Sequence, residues 1–162
     1  MTNIGNRYQI SSLTNDKIKL INSLHHRKYR REHNLFVAEG IRICREAVEN
    51  GWEIRYLLYD NLNADIQKIE NLISDVLCLG ADVIGVTSEI LSKISHKENS
   101  QNVLCVICQK WNDLPGIIKD KTFVALETVR DPGNLGTILR TMDGVGATDC
   151  ILLDHCTDPF SY

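Results

Sequence analysis

A strand, turn, helix and strand pattern near the carboxyl end constrains the fold of this 162-residue chain more than any other feature. A short apolar run at residues 123–126 ends in a turn rich in Pro and Gly. Apolar residues then recur with the spacing of an amphipathic helix, at Leu135, Ile138, Leu139 and Met142. A second apolar run at residues 149–154 predicts another buried strand. Together these segments are typical of an α/β sheet.

Two polar side chains, Asn134 and Arg140, stand at the junction of the first strand and the helix. Asn is preferred at helix N-caps, so the helix is predicted to begin at about Asn134. At about 100° per residue, Arg140 lies far from the middle of the apolar stripe, which leaves its side chain to a ligand or to solvent. Ligands of open α/β sheets bind at the carboxyl ends of strands, where Asn134 stands. From periodicity alone, a solvated Arg140 and a purely capping Asn134 remain the alternative interpretation.

The same residues carry a family resemblance. The run Asp-Pro-Gly-Asn-Leu-Gly-Thr-Ile-Leu-Arg-Thr-Met-Asp-Gly-Val-Gly at positions 131–146 resembles the first signature motif of the SpoU (TrmH-like) branch of the SPOUT RNA methyltransferases. Upstream, residues 17–40 and 87–107 are similar to the amino-terminal substrate-binding domain that many of these enzymes carry. The resembling segments cover most of the chain.

The resemblance implies an enzyme that transfers a methyl group from S-adenosylmethionine to a ribose 2′-hydroxyl of rRNA or tRNA. It implies that Asn134 and Arg140 are the catalytic residues of the first motif. In the family, later motifs fold into a deep trefoil knot that forms the S-adenosylmethionine pocket and the homodimer contact. The resemblance therefore implies that the cofactor-binding residues lie beyond Tyr162, and we expect a fragment that lacks the knot region and is inactive by itself.

Basic residues are concentrated in the amino-terminal part, although the whole chain has a formal net charge of −3. Seven Lys and Arg stand against two Asp and Glu through Leu35. We predict an RNA-binding surface that holds phosphates and stacks one base, formed by Arg27, Lys28, Tyr29, Arg30 and Arg31. From composition alone, an exposed helix end whose cations favour the helix dipole is an equal alternative. The family resemblance favours RNA.

The spacing of apolar residues predicts a small α/β/α substrate-binding domain at residues 1–110. Helices are predicted at residues 16–30, 41–50, 64–74 and 87–94, and strands at residues 35–38, 54–59, 82–86 and 103–108. Pro and Gly predict a linker at residues 111–118. A partial SpoU methyltransferase domain is expected at residues 119–162. Its predicted content is the first strand, helix and strand of a SPOUT, or knotted Rossmann-like, domain.

Cysteine usage and hydropathy narrow the cellular context. Six cysteines in a chain whose first residues carry no apolar leader predict a reducing compartment, the cytoplasm. Cys105 and Cys108 have the spacing of a zinc-binding or redox-active pair, but they lie in an apolar run without a second such pair, so buried strand thiols are the favoured interpretation. Residues 154–158 are interpreted as a loop, so no metal is expected. No stretch reaches the ~18 apolar residues of a membrane helix.

Three functions are compatible with these observations. The first is an RNA 2′-O-ribose methyltransferase by family, a homodimer when intact. The second is a non-catalytic RNA-binding module that uses the basic amino-terminal domain. The third is an interaction fragment that dimerises through its incomplete sheet. The length and specificity of the motif at residues 131–146 favour the first.

Overall fold

The chain folds into two compact units, unit 1 at Met1–Gln109 and unit 2 at Lys110–Ser161. This computed structural model describes residues 4–95, 101–113 and 122–161. Most of the predicted linker and the predicted domain start at Lys119 lie outside the described residues. The predicted domain bounds therefore stay a prediction.

Unit 1 is built on a five-stranded sheet with helices on both faces. Its elements in chain order are β1 (Arg7–Ile10), α1 (Asp16–Ser23), α2 (Arg27–His33), β2 (Leu35–Glu39), α3 (Ile41–Glu49), β3 (Ile54–Asp60), α4 (Ile66–Cys78), β4 (Asp82–Val86), α5 (Ser88–Ser95) and β5 (Val103–Cys108). The strand order is β1-β4-β3-β5-β2. Strand β5 runs antiparallel to both neighbours, whereas β4 is parallel to β1 and β3.

Two apolar clusters cover the opposite faces of this sheet. Leu58 packs in the cluster that includes the side chains of α1 and α5. The preceding residue, Leu57, packs in the cluster that includes the side chains of α3 and α4. This alternation is the period of two that a strand imposes. Because both faces are covered, β4 and β5 are apolar almost throughout, and their bounds match the predicted ones.

The helix predicted at residues 16–30 is in fact two helices. Helix α1 ends at Ser23 and α2 begins at Arg27. In the break, the carbonyl oxygens of Leu24 and His25 accept hydrogen bonds from Nη1 of Arg30, at 2.8 Å and 2.7 Å. The guanidinium satisfies carbonyl groups that the end of α1 leaves without helical partners.

Unit 1 also contains one strand that was not predicted and one helix that is longer than predicted. Strand β1 was not predicted, because its sequence Arg-Tyr-Gln-Ile has little apolar content and it pairs at the edge of the sheet. Helix α4 was predicted to end at Ser74 but continues to Cys78, and Val76 in the added turn is fully buried.

A buried carboxylate holds the turn that follows β3. Asp60 is only 2% exposed, and its Oδ1 accepts hydrogen bonds from the backbone N–H groups of Leu62 (2.8 Å) and Asn63 (3.0 Å). Its Oδ2 accepts a hydrogen bond from Nδ2 of Asn63 at 3.0 Å. Burial opposes ionisation, but hydrogen bonds from Ser88, Asn63 and the backbone outweigh it and hold the pKa of Asp60 below its usual range.

We expect Asp60→Asn to lower the free energy of unfolding at neutral pH and to reduce its loss in acid. Because the pKa of Asp60 is lower in the folded than in the unfolded protein, the stabilisation is complete above the unfolded pKa of about 3.9. It is lost as the pH falls through the folded pKa. Urea titrations at neutral and acidic pH test this, with Asp75→Asn, an exposed aspartate of α4, as the control. Identical pH dependence in wild type and Asp60→Asn would contradict it.

Unit 2 contains the predicted strand, helix and strand. These are β6 (Phe123–Glu127), α6 (Pro132–Gly144) and β7 (Asp149–Leu153), and the two strands pair in parallel. Leu135 and Met142 of the predicted stripe are buried. Both strands were expected to be buried, but they are only partly covered in the described part of unit 2.

Helix α6 begins two residues earlier than predicted. Its N-cap is Asp131, whose Oδ1 accepts a hydrogen bond from the backbone N–H of Asn134 at 2.7 Å. Pro132 occupies the first helical position, where its fixed φ favours the helix and its missing N–H costs nothing. The prediction of Asn134 as the N-cap was therefore wrong, because the aspartate before the proline takes that role.

Candidate functional site

Helix α6 follows the carboxyl end of β6 and carries both predicted catalytic residues. Asn134 is exposed in the first turn, and its side-chain amide has no hydrogen-bonding partner among the described residues. Arg140 is also exposed, and its Nε donates to the carbonyl oxygen of Gly136 at 3.2 Å. This bond turns the guanidinium back toward the start of the helix. The two residues are six positions apart, which would otherwise separate their side chains by about 9 Å along the helix axis.

The remaining polar groups on this part of α6 are already hydrogen-bonded. The hydroxyl of Thr137 donates to the carbonyl oxygen of Gly133, and that of Thr141 donates to the carbonyl oxygen of Thr137, both at 2.9 Å. A Cβ added at Gly136 would lie 3.8 Å from Nη2 of Arg140, so the guanidinium lies close along the helix surface. The amide of Asn134 and the Nη groups of Arg140 are therefore left to meet a ligand.

The segments that follow β6 and β7 are joined to each other. The backbone N–H of Thr157 donates to the carbonyl oxygen of Val129 at 2.7 Å, and Sγ of Cys156 donates to that of Leu126 at 3.3 Å. Each strand is followed by a residue at positive φ, Thr128 at 57° and Asp154 at 52°. A β-branched residue rarely adopts this conformation, which concentrates at ligand sites. The segment after β7 is thus bonded both to β6 and to the segment that follows β6.

Two cavities in the described part of unit 2 are lined by neither Asn134 nor Arg140. A cavity of about 370 Å³ runs along β7, with Trp111, Ile151 and Phe160 in its lining. Neither Asn134 nor Arg140 lines it. Among the described residues, neither of these cavities forms an enclosed space for an adenosine at Asn134 and Arg140. S-adenosylmethionine does not fit a site made of these residues alone.

The strand thiols show no features of a reactive or metal-binding site. Cys105 is fully buried in β5, and burial raises the pKa of Cys108 to about 11. A thiol with such a pKa stays protonated at neutral pH and is a poor ligand or nucleophile. Within the described ranges, no cluster of three or more His, Cys, Asp or Glu could hold a metal ion.

Helix α2 presents three of the four predicted cations to solvent. Arg27, Lys28 and Arg31 are exposed, and Nζ of Lys28 lies 5.6 Å from the ring centre of Tyr29. Tyr29 is 36% exposed, so its ring is partly available for stacking. Arg30 is only 4% exposed and binds the break between α1 and α2. The prediction that Arg30 lies on the phosphate-binding surface was therefore wrong, because its guanidinium is buried and bonded to the carbonyl oxygens of Leu24 and His25.

Comparisons with known proteins identify relatives of both units. Residues 15–105 match the family described as the MRM3-like substrate binding domain. The chain is 29% identical over 153 residues to the 23S rRNA (guanosine(2553)-2′-O)-methyltransferase of Bacillus subtilis (strain 168), covering 94% of this chain and 57% of the relative. It is 30% identical over 128 residues to the 23S rRNA (uridine(2479)-2′-O)-methyltransferase of Streptomyces viridochromogenes, covering 77% and 44%.

Solved structures show the same likeness. An rRNA methyltransferase from Sinorhizobium meliloti superimposes with a TM-score of 0.86 and 37% identity, covering 97% of this chain and 59% of that protein. An AdoMet-bound rRNA methyltransferase from the same organism gives a TM-score of 0.85 and 36% identity, covering 96% of this chain and 57% of that protein. The SpoU methyltransferase AviRb from Streptomyces viridochromogenes, in complex with AdoMet, gives 0.75 and 25%, covering 91% and 56%. The chain thus spans about half the length of these relatives.

None of the described helices is long and apolar enough to cross a membrane.

Proposed function

This chain belongs to the SpoU (TrmH-like) RNA methyltransferases that carry an MRM3-like substrate-binding domain, and we propose that its protein methylates a ribose 2′-hydroxyl of rRNA. The observation that carries the proposal is the pair of unused polar groups, on Asn134 and Arg140, at the carboxyl end of β6. The curated relatives do not favour the alternatives of a non-catalytic RNA-binding module or an interaction fragment.

Arg140 would act on the reacting ribose as an electrostatic stabiliser. Methylation would pass the hydroxyl proton to solvent while the ribose oxygen bonds to the methyl group, which S-adenosylmethionine supplies when bound and whose bond to sulfur breaks. A guanidinium, with a pKa above ~12, rarely gives up a proton. Arg140 would therefore hold the adjacent phosphate and stabilise the negative charge that develops on the ribose oxygen. The amide of Asn134 would orient the nucleotide.

Unit 1 would hold the RNA on which unit 2 acts. We propose that Arg27, Lys28 and Arg31 contact phosphates and that Tyr29 stacks on a base. Arg30 is the structural member of this segment. It supports the helix from inside by bonding to the carbonyl groups before it.

The family also suggests the oligomeric state, the cellular compartment and the origin of the cofactor pocket. We propose that the protein is a homodimer in the cytoplasm. The residues that complete the S-adenosylmethionine pocket would come from sequence outside residues 1–162, which agrees with the absence of an enclosed space beside Arg140 among the described residues.

The test is methyl transfer by the protein as its gene encodes it. Deproteinised 23S rRNA would be incubated with S-adenosylmethionine carrying a labelled methyl group, digested to nucleosides and separated. We expect the label in a 2′-O-methylated nucleoside. Label in a base-methylated nucleoside, or no RNA-dependent transfer, would contradict the proposal.

A further inference from the structure

The connection between β6 and α6 is short and contains a strained residue. Only residues 128–130 lie between the last residue of β6 and Asp131, the N-cap of α6. Thr128, the first of them, has a φ of 57°, which a side chain branched at Cβ rarely adopts. The orientation of α6 relative to β6 depends on these residues. The positions of Asn134 and Arg140, which α6 carries, therefore depend on them as well.

Two hydrogen bonds from the segment after β7 reach the chain on either side of Thr128. Before it, the carbonyl oxygen of Leu126 accepts a hydrogen bond from Sγ of Cys156 at 3.3 Å. After it, the carbonyl oxygen of Val129 accepts one from the backbone N–H of Thr157 at 2.7 Å. A strained conformation persists only where the surrounding structure fixes it. These two bonds hold the residues that flank Thr128.

The segment that carries Cys156 is itself held in place. The Asp158 side chain is 7% exposed, and its Oδ1 accepts a hydrogen bond from the backbone N–H of Phe160 at 3.0 Å. Cys156 is 4% exposed, so water hardly competes with its thiol for the carbonyl oxygen of Leu126. Because this bond comes from a side chain, one substitution removes it and leaves the backbone bond of Thr157 in place.

We propose that Cys156 is a positioning residue for methyl transfer. By bonding to Leu126 it helps to keep Thr128 at positive φ, and this conformation fixes the orientation of α6. The inference rests on the proposed function, in which Asn134 and Arg140 act on the reacting nucleotide. Cys156 acts only through them, because its thiol is buried and bonded to β6. A displacement of catalytic groups by about 1 Å can lower a rate by as much as about 10²-fold.

The first test compares Cys156→Ala, Cys156→Ser and Cys150→Ala in the protein as its gene encodes it. We expect Cys156→Ala to lower kcat about tenfold, within the range for a small displacement of catalytic groups. KM for rRNA should not change, because unit 1 holds the RNA in the proposed function. Cys156→Ser keeps a donor and should restore most of kcat. Cys150→Ala is the matched control, since this half-buried thiol makes no hydrogen bond among the described residues, and it should retain the wild-type kcat.

The second test repeats Cys156→Ala in a Thr128→Gly background. Glycine adopts positive φ without strain, so the chain should keep its course there without the bond from Cys156. We expect the loss of kcat caused by Cys156→Ala to shrink from about tenfold to less than about twofold in this background, as for two coupled residues. A cysteine that only fills space would lower kcat by the same factor in both backgrounds.

The outcomes separate this inference from the proposed function. A wild-type kcat in Cys156→Ala, an equal loss in Cys150→Ala, or the same loss in both backgrounds would overturn the positioning role and leave the proposed function intact. No RNA-dependent transfer by the wild type would overturn both. If thermal unfolding shows that Cys156→Ala does not fold, Cys156→Val takes its place, because valine fills the site without a donor. Equal kcat in Cys156→Val and Cys156→Ser would then overturn the positioning role.

Discussion

Arg140→Ala should lower the rate of methyl transfer by at least about 10²-fold, the scale for removing one donor that stabilises transition-state charge. Folding should be unaffected, because the side chain is exposed and Nε bonds only to the carbonyl oxygen of Gly136 in its own helix. Initial rates with rRNA and thermal unfolding measure the two effects. Asp143→Ala, at an exposed position of the same helix, is the control and should retain the wild-type rate.

Arg140→Lys separates the two chemical roles of the guanidinium. If Arg140 supplies only positive charge, lysine should restore much of the rate that alanine removes. If the planar guanidinium instead holds a phosphate through two hydrogen bonds, lysine should not restore the rate. Loss of folding in Arg140→Ala would show a structural role, and near-wild-type rates in both variants would remove Arg140 from the mechanism.

Arg27→Glu combined with Arg31→Glu should weaken RNA binding and flatten its dependence on salt. Each phosphate contact that is lost lowers the slope of log affinity against log salt by roughly one unit, so we expect a decrease of about two. Affinities measured across a salt series provide both values. Because Arg30 is buried in the break between α1 and α2, it is left unchanged so that folding is preserved.

The control has the same change in net charge at other exposed positions, Arg42→Glu combined with Arg55→Glu. We expect this control to retain most of the salt slope. Equal losses in the two double variants would mean that only the total charge matters. An unchanged slope in the α2 variant would remove that helix from the RNA interface.

The sequence predicts the elements of this fold best where apolar runs are continuous and bounded by turn residues. Strands β4 and β5 match their predicted bounds because helices cover both faces of the sheet. The polar edge strand β1 gives no comparable signal. The break between α1 and α2 contains no Gly or Pro, and a buried arginine from the following helix stabilises it. Such a tertiary contact does not change the spacing of apolar residues, so the sequence pattern does not predict it.

In the candidate site, too, the sequence indicates some of the residues and not others. Asn134 and Arg140 were predicted from the resemblance of residues 131–146, whereas periodicity alone left them as cap and solvated side chain. The capping role of Asp131 had a usable signal in the Asp-Pro pair, because proline favours the first helical position. The turn after β3 had no comparable signal in the sequence Asp-Asn-Leu-Asn. That sequence does not reveal that Asp60 is buried and accepts a hydrogen bond from the backbone N–H of Leu62.

The most direct test of the central claim is nucleotide-resolution mapping of 2′-O-methylation on rRNA from cells that lack this gene and from cells complemented with wild type or Arg140→Ala. The account predicts that methylation at a 2′-hydroxyl disappears without the gene, returns with the wild type and stays absent with Arg140→Ala. Identical maps in all strains, or full restoration by Arg140→Ala, would contradict it.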